Sequence, residues 1–174
     1  TISLDHFINS HLNPKKETID IFNEIESASK EGDLKKKSML KAKLPFFSIS
    51  AMFKGGRKYE NILEFNPIAQ MDFDGLEEEE AVQFRDYIFS HYPQIICSYL
   101  SPSRKGVKAI IKIPKISIDK GIQHGISMYK SYYKAIESEF GNYKGFDSAP
   151  KNLALPLYLS YDFFINQRSF EDAT

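Results

Sequence analysis

Between residues 68 and 161 the hydrophobic pattern changes period in one order: strand (68–73), helix (76–91), strand (94–100), turn (102–106), strand (107–113), helix (119–140) and, after a loop, strand (155–161). Few architectures accept β-α-β-β-α-β, the split βαβ or ferredoxin-like order that RNA-recognition modules also use. In that topology the first and third strands lie side by side at the centre of one sheet, and the helices cover a single face. The fold class expected is α+β.

Strand alternation then decides which side chains meet. Met71 and Phe73 pack under the helices, which sends Asp72 and Asp74 to the open face with Cα atoms about 6.5 to 7 Å apart. On the third strand Val107, Ala109, Ile111 and Ile113 point inward, leaving Lys108, Ile110 and Lys112 on the open face, so Lys108 or Lys112 stands beside the two acids. Paired carboxylates are hard oxygen ligands of the kind Mg²⁺ and Mn²⁺ prefer, and Mg²⁺ characteristically shares them with substrate phosphates. The same residues support a structural reading, because Asp74 and Glu77 have the spacing of a capping box for the helix that follows.

The turn between the second and third strands, Ser101-Pro102-Ser103-Arg104-Lys105-Gly106-Val107-Lys108, carries two hydroxyls, three cations and a glycine. Its hydroxyls, cations and backbone N–H groups suit a triphosphate, and it equally suits an exposed turn. A third acid, Asp147, precedes the final strand, where it either completes a metal site with Asp72 and Asp74 or forms a turn before Ser148 and Pro150. Asp162 ends the last strand and is read as support for the site or as a turn residue. Val107 and Ala109 occupy the positions where an RNA-recognition module would carry stacking aromatics, so that surface is not equipped to stack bases.

Upstream, residues 14–43 read as helix, broken near Gly32, with Lys35, Lys36, Lys37, Lys41 and Lys43 on a solvated face that is also a candidate template contact. Residues 45–53 and 59–65 are rich in strand formers. The expected organisation is an N-terminal helical and α/β extension (1–66), a module of RRM-like topology (67–168) and a short tail (169–174), forming one compact unit.

The chain is formally uncharged with a pI near 6.8, so any contact with nucleic acid must come from local patches. Its single cysteine, Cys97, rules out an internal disulfide and a cysteine-based zinc site and reads as a small core residue. The histidines lack metal-ligand spacing; His91 reads as a helix-end residue, and His6, His11 and His124 as surface. With no signal segment and no run of 18 apolar residues, a cytoplasmic protein without membrane contact is expected.

Taken together, 43–53, Met71 to Leu76, Ser101 to Lys108, Phe146-Asp147, Leu159 to Asp162 and Asn166 resemble the VirE N-terminal-domain family, a primase-like branch of the archaeo-eukaryotic primase superfamily. The resemblance implies an RRM-like catalytic module with an N-terminal α/β unit, performing template-directed nucleotidyl transfer in a mobile-element or replication protein. It makes Asp72, Asp74 and Asp147 the catalytic ligands of Mg²⁺ or Mn²⁺. It makes Ser101, Ser103, Arg104, Lys105, Gly106 and Lys108 the nucleotide-binding set, with Asp162 and Lys151 in support. The partners it implies are nucleoside triphosphates, a DNA template and a fused or associated helicase. The alternative is a catalytically inactive module that binds nucleic acid or a partner and positions a helicase or nuclease.

Overall fold

Gly32, in the left-handed region at φ 74°, breaks the N-terminal helical stretch, and the Asp33 side chain restarts it by accepting from the Lys36 N–H. In a computed structural model that describes residues 3–174, this gives α1 (Leu4–Leu12), α2 (Lys16–Lys30) and α3 (Leu34–Lys41), followed by β1 (Phe46–Phe47), β2 (Ala51–Phe53) and β3 (Ile62–Phe65). Then come β4 (Ile68–Asp74), α4 (Glu78–His91), β5 (Ile95–Leu100), β6 (Gly106–Lys112), α5 (Ile122–Phe140), β7 (Phe146–Asp147), β8 (Leu157–Tyr158) and β9 (Asn166–Gln167). The arrangement is α+β, with antiparallel strand pairs throughout the described residues.

The main sheet has the order β7-β4-β6-β5-β9, while β1 pairs with β8 and β2 with β3. The place beside β4 belongs to the two-residue β7 and not to the expected strand at 155–161. Two features explain the difference. Gly145 sits at φ 79°, and a Cβ there would collide with the backbone of Asp74, so a glycine is what lets the chain run against β4. Downstream, Pro156 has no N–H to give a ladder, and Leu157 and Tyr158 turn away to pair with Phe47 and Phe46.

Helices α4 and α5 cover one face of the sheet, where Met71, Phe73, Val107 and Ala109 pack with Ile88, Tyr129, Tyr133 and Ile136. The other face is not open along its length. Helix α1, which the sequence reading had as neither helix nor core, lays Phe7 and Ile8 over Ile96, Cys97, Tyr99 and Ile110. His11 belongs to this layer: it is fully buried, in contrast to the surface position expected, and desolvation lowers its pKa to about 4. A third cluster joins Phe22, Ile25, Leu40 and Leu44 of the N-terminal unit to Leu159.

The stretch 169–174 is not a free tail either, since Ala173 is fully buried and the Lys112 ammonium donates to the carbonyls of Phe170 and Ala173. That contact takes Lys112 away from the acids of β4. No helix among the described residues is long and apolar enough to cross a membrane.

Candidate metal centre

Asp72 is flanked on both sides across the sheet. Its register partner on β6 is Lys108 and its partner on β7 is Asp147, while Asp74, two residues further along β4, faces Gly106. Asp72, Asp74 and Asp147 each offer an oxygen lying within 4.8 Å of the others. Asp147 is held in place by its own turn, its Oδ1 accepting from the Ala149 N–H at 2.9 Å, and β7 is tied to β4 by the Asp74 N–H donating to the Gly145 carbonyl at 2.8 Å.

Asp74 is not a helix cap, contrary to one reading of the sequence. Helix α4 starts at Glu78 with Glu77 as its cap, and the Glu77 N–H donates to the Glu80 carboxylate in a capping box. The three-residue offset leaves the Asp74 side chain free of that duty.

The Lys108 ammonium donates to Oδ2 of Asp72. Oδ1 of the same carboxylate is buried and has no hydrogen-bond partner. Burial pushes the Asp72 carboxyl above the ordinary carboxylate value; Lys108 opposes that rise and Asp74 adds to it. An unpartnered buried carboxylate oxygen is costly, and a divalent cation between it and two further acids would satisfy it. The donor set fits Mg²⁺ or Mn²⁺: all oxygen, no sulfur and no imidazole.

A second cation stands nearby. Lys41, the last residue of α3, is half-buried and its side chain makes no hydrogen bond or ion pair among the described residues. Burial lowers its pKa, the neighbouring Lys108 and Lys37 lower it further, and Asp74 and Asp72 raise it. Sequence reasoning placed Lys41 on a solvated lysine face. The available signal was its position between Leu40 and Leu44, both of which are buried.

The hairpin from Ser101 to Lys108 divides its duties. Ser101 and Ser103 are buried, their hydroxyls 3.3 Å apart. Arg104 donates to Glu78, and Lys105 lies 3.8 Å from Glu77, so these two cations tie the hairpin to the start of α4 and do not point at the acids. Gly106 brings β6 against the centre, because a Cβ there would meet the Asp74 Oδ1 at 2.9 Å and the Ser101 Oγ at 3.2 Å. Of the expected nucleotide-binding set, Lys108 and Gly106 lie at the acids.

The two residues expected to support the centre do other work. Asp162 is buried, accepting from Arg85 Nη1 at 3.0 and 3.1 Å and from the Leu100 N–H at 2.9 Å, which anchor the C-terminal chain to α4 and β5, and from the Phe164 N–H at 3.0 Å, which closes a local turn. Lys151 faces Glu137 at 3.8 Å. Sequence inspection missed Arg85, whose buried guanidinium gives no local signal on an otherwise acidic helix.

The family described as BT4734-like, N-terminal domain, matches residues 39–162, most of the chain. The chain belongs to that family. This corrects the assignment to the VirE N-terminal-domain family, whose motifs it resembled only piecewise. All three acids, Lys108 and Lys41 fall inside the matched BT4734-like region, whereas α1 and α2 precede it. No curated protein and no solved structure matches the chain.

Proposed function

We propose that this BT4734-like domain is a metal-dependent nucleotidyltransferase that adds nucleotides to a primed DNA template. The observation that carries the proposal is the convergence of Asp72, Asp74 and Asp147, with an unpartnered oxygen of Asp72 among them, beside Lys108. The strand order β7-β4-β6-β5 supports a ferredoxin- or RRM-like reading of the module, with the acids on its two adjacent strands β7 and β4. Mg²⁺ or Mn²⁺ held by the three carboxylates would supply charge for the triphosphate oxygens and lower the pKa of the attacking hydroxyl.

The chain's own residues have distinct parts in this reading. Lys108, bonded to Asp72 in the metal-free protein, would be released to a phosphate oxygen by a cation that takes over the carboxylate, and Lys41, which is close enough to feel Asp72 and Asp74, would offer a second phosphate contact. Glu77 and Glu78 hold Arg104 and Lys105, which fixes the hairpin against α4 and keeps Gly106 close to Asp74. Incubating the protein with a primed template, dNTPs and Mn²⁺ should give extension by wild type and a loss of about 100-fold or more for Asp72→Asn. No extension by wild type, or equal extension by the variant, overturns the proposal.

One observation favours a second reading, a catalytically silent module that positions a partner enzyme on nucleic acid. Lys108, Arg104 and Lys105 are each matched to an acid already, Lys108 to Asp72 and the other two to Glu78 and Glu77 outside the centre, so none of the three is unpaired for a triphosphate. DNA binding that depends on salt but not on metal or on Asp72 would select that reading.

A further inference from the structure

Helix α5 turns one face, Lys130, Tyr133, Lys134 and Glu137, towards the short helical turns Tyr59–Asn61 and Ala149–Lys151. Between them lies a pocket of about 470 Å³, completed by Tyr59, Lys151 and Asn152. That volume is within the range of small-molecule sites. None of the lining residues belongs to the acidic centre.

The charges around the pocket do not cancel. Lys151 stands 3.8 Å from Glu137, which accounts for the one acid of the lining. Lys130 and Lys134 are exposed, and neither side chain makes a hydrogen bond or ion pair among the described residues. Two unmatched cations, one helical turn apart, therefore face the same space. Solvated lysines alone do not make a site; the donors beneath them do.

Tyr133 is 1% exposed, and its hydroxyl is buried without a hydrogen-bond partner. A buried hydroxyl left in this way is costly and uncommon. Burial pushes its pKa well above the ordinary tyrosine value, so it keeps a proton to donate. Asn152 adds a second oriented donor. Its Oδ1 accepts from the Tyr59 hydroxyl at 3.0 Å and from the Ala154 N–H at 3.0 Å, which fixes the amide and leaves its NH₂ without a partner among the described residues.

Two ammonium groups, an amide and a phenol thus line one pocket as donors, while its only carboxylate is already engaged. A phosphate group answers that set, with about two negative charges for the two cations and three or more acceptor oxygens for the neutral donors. A carboxylate brings one charge and two oxygens, and an apolar ligand would leave every donor unmet. We propose that this pocket binds the phosphate group of a small molecule, held by Lys130 and Lys134, with the Tyr133 hydroxyl and the Asn152 amide as further donors. The site is separate from the metal centre, and the proposal does not rest on the nucleotidyl-transfer reading.

The test is calorimetric titration of the full chain, without divalent metal, using inorganic phosphate, AMP and adenosine. Phosphate and AMP are expected to bind and adenosine is not; tighter binding of AMP assigns a phosphomonoester, and equal affinities assign the free anion. Tyr133→Phe is expected to weaken binding about 10-fold. The thermal midpoint of the ligand-free variant should not fall, because the hydroxyl has no bond to lose. Lys130→Gln combined with Lys134→Gln is expected to weaken binding by about 10-fold as well. The proposal is overturned if wild type binds neither phosphate nor AMP, if Tyr133→Phe binds as wild type does, or if adenosine binds as well as AMP. It is also overturned if Lys41→Gln, and not the α5 double variant, loses binding, which would put the anion at the acidic centre.

Discussion

Lys108 and Asp72 face each other across β4 and β6, and their ion pair uses one oxygen of the carboxylate while the other stays buried without a partner. The pair is thus half of an arrangement. Asp147, on the opposite flank of Asp72, and Asp74 supply further oxygens but no positive charge. Replacing Lys108 with Met would leave the buried Asp72 without its ion-pair partner, with Lys41 the cation still acting on it. We expect Lys108→Met to lose about 3 kcal/mol of stability at pH 7 and to regain part of it on addition of Mn²⁺, measured by urea denaturation with and without the metal.

Asp72 also sets a pH dependence for metal binding. Its folded-state pKa lies above the ordinary carboxylate value, so the native state holds that proton more tightly than the unfolded chain does. In the metal-free protein this group therefore costs stability as pH rises from the ordinary carboxylate range through its raised value. Mn²⁺ must displace the same proton, so affinity should fall as pH is lowered, beginning above the range where free carboxylates titrate. Calorimetric titrations with Mn²⁺ between pH 7.5 and pH 5 check this; affinity constant across that range would contradict it.

Gly145 places Asp147. A side chain there would be strained at φ 79° and would strike the Asp74 backbone. Gly145→Ala should separate β7 from β4, lower the thermal midpoint and weaken Mn²⁺ binding about as much as Asp147→Asn does. Thermal unfolding and metal titration on both variants compare the two effects.

Asp162 and Arg85 form a buried pair away from the acids. Asp162→Ala should destabilise the protein by about 3 kcal/mol, because it leaves Arg85 Nη1 and the Leu100 N–H buried without their acceptor while Asp86 holds only Nε of Arg85. Its Mn²⁺ affinity, measured below the unfolding transition, should remain that of wild type.

His11 is the complementary pH probe. With a folded pKa of about 4 against an ordinary 6.5, it stabilises the native state fully above pH 6.5 and loses that contribution as pH falls towards 4. The whole effect is on the order of 3 kcal/mol. His11→Phe should flatten the acid limb of the stability curve, read as denaturation midpoints between pH 7 and pH 4.

How much of this was legible in the sequence depended on periodicity. Alternation in residues 68–74 and 106–112 was enough to put Lys108 beside Asp72, since seven-residue strands carry a clear period. The mixed α+β class followed from the same pattern. A two-residue strand such as β7 carries no period, so Asp147 could be read only as a loop acid near a later strand. Helix α1 has the apolar residues Leu4, Phe7 and Ile8 but is only nine residues long, and the burial of His11 depends on Tyr99 and Phe47, far away in the chain. Lys41 and Arg85 look like ordinary helix-surface cations until tertiary packing encloses them. The family assignment failed because short motifs shared by a resemblance do not fix membership, which the match over residues 39–162 does.

The central claim is that Asp72, Asp74 and Asp147 hold a divalent cation together with a nucleotide. Mn²⁺ titration by electron paramagnetic resonance, with and without dATP, tests it most directly. Wild type should bind Mn²⁺ more tightly when dATP is present, and Asp72→Asn and Asp147→Asn should each abolish that binding. Free Mn²⁺ that is the same for wild type and both variants, with dATP making no difference, would contradict it.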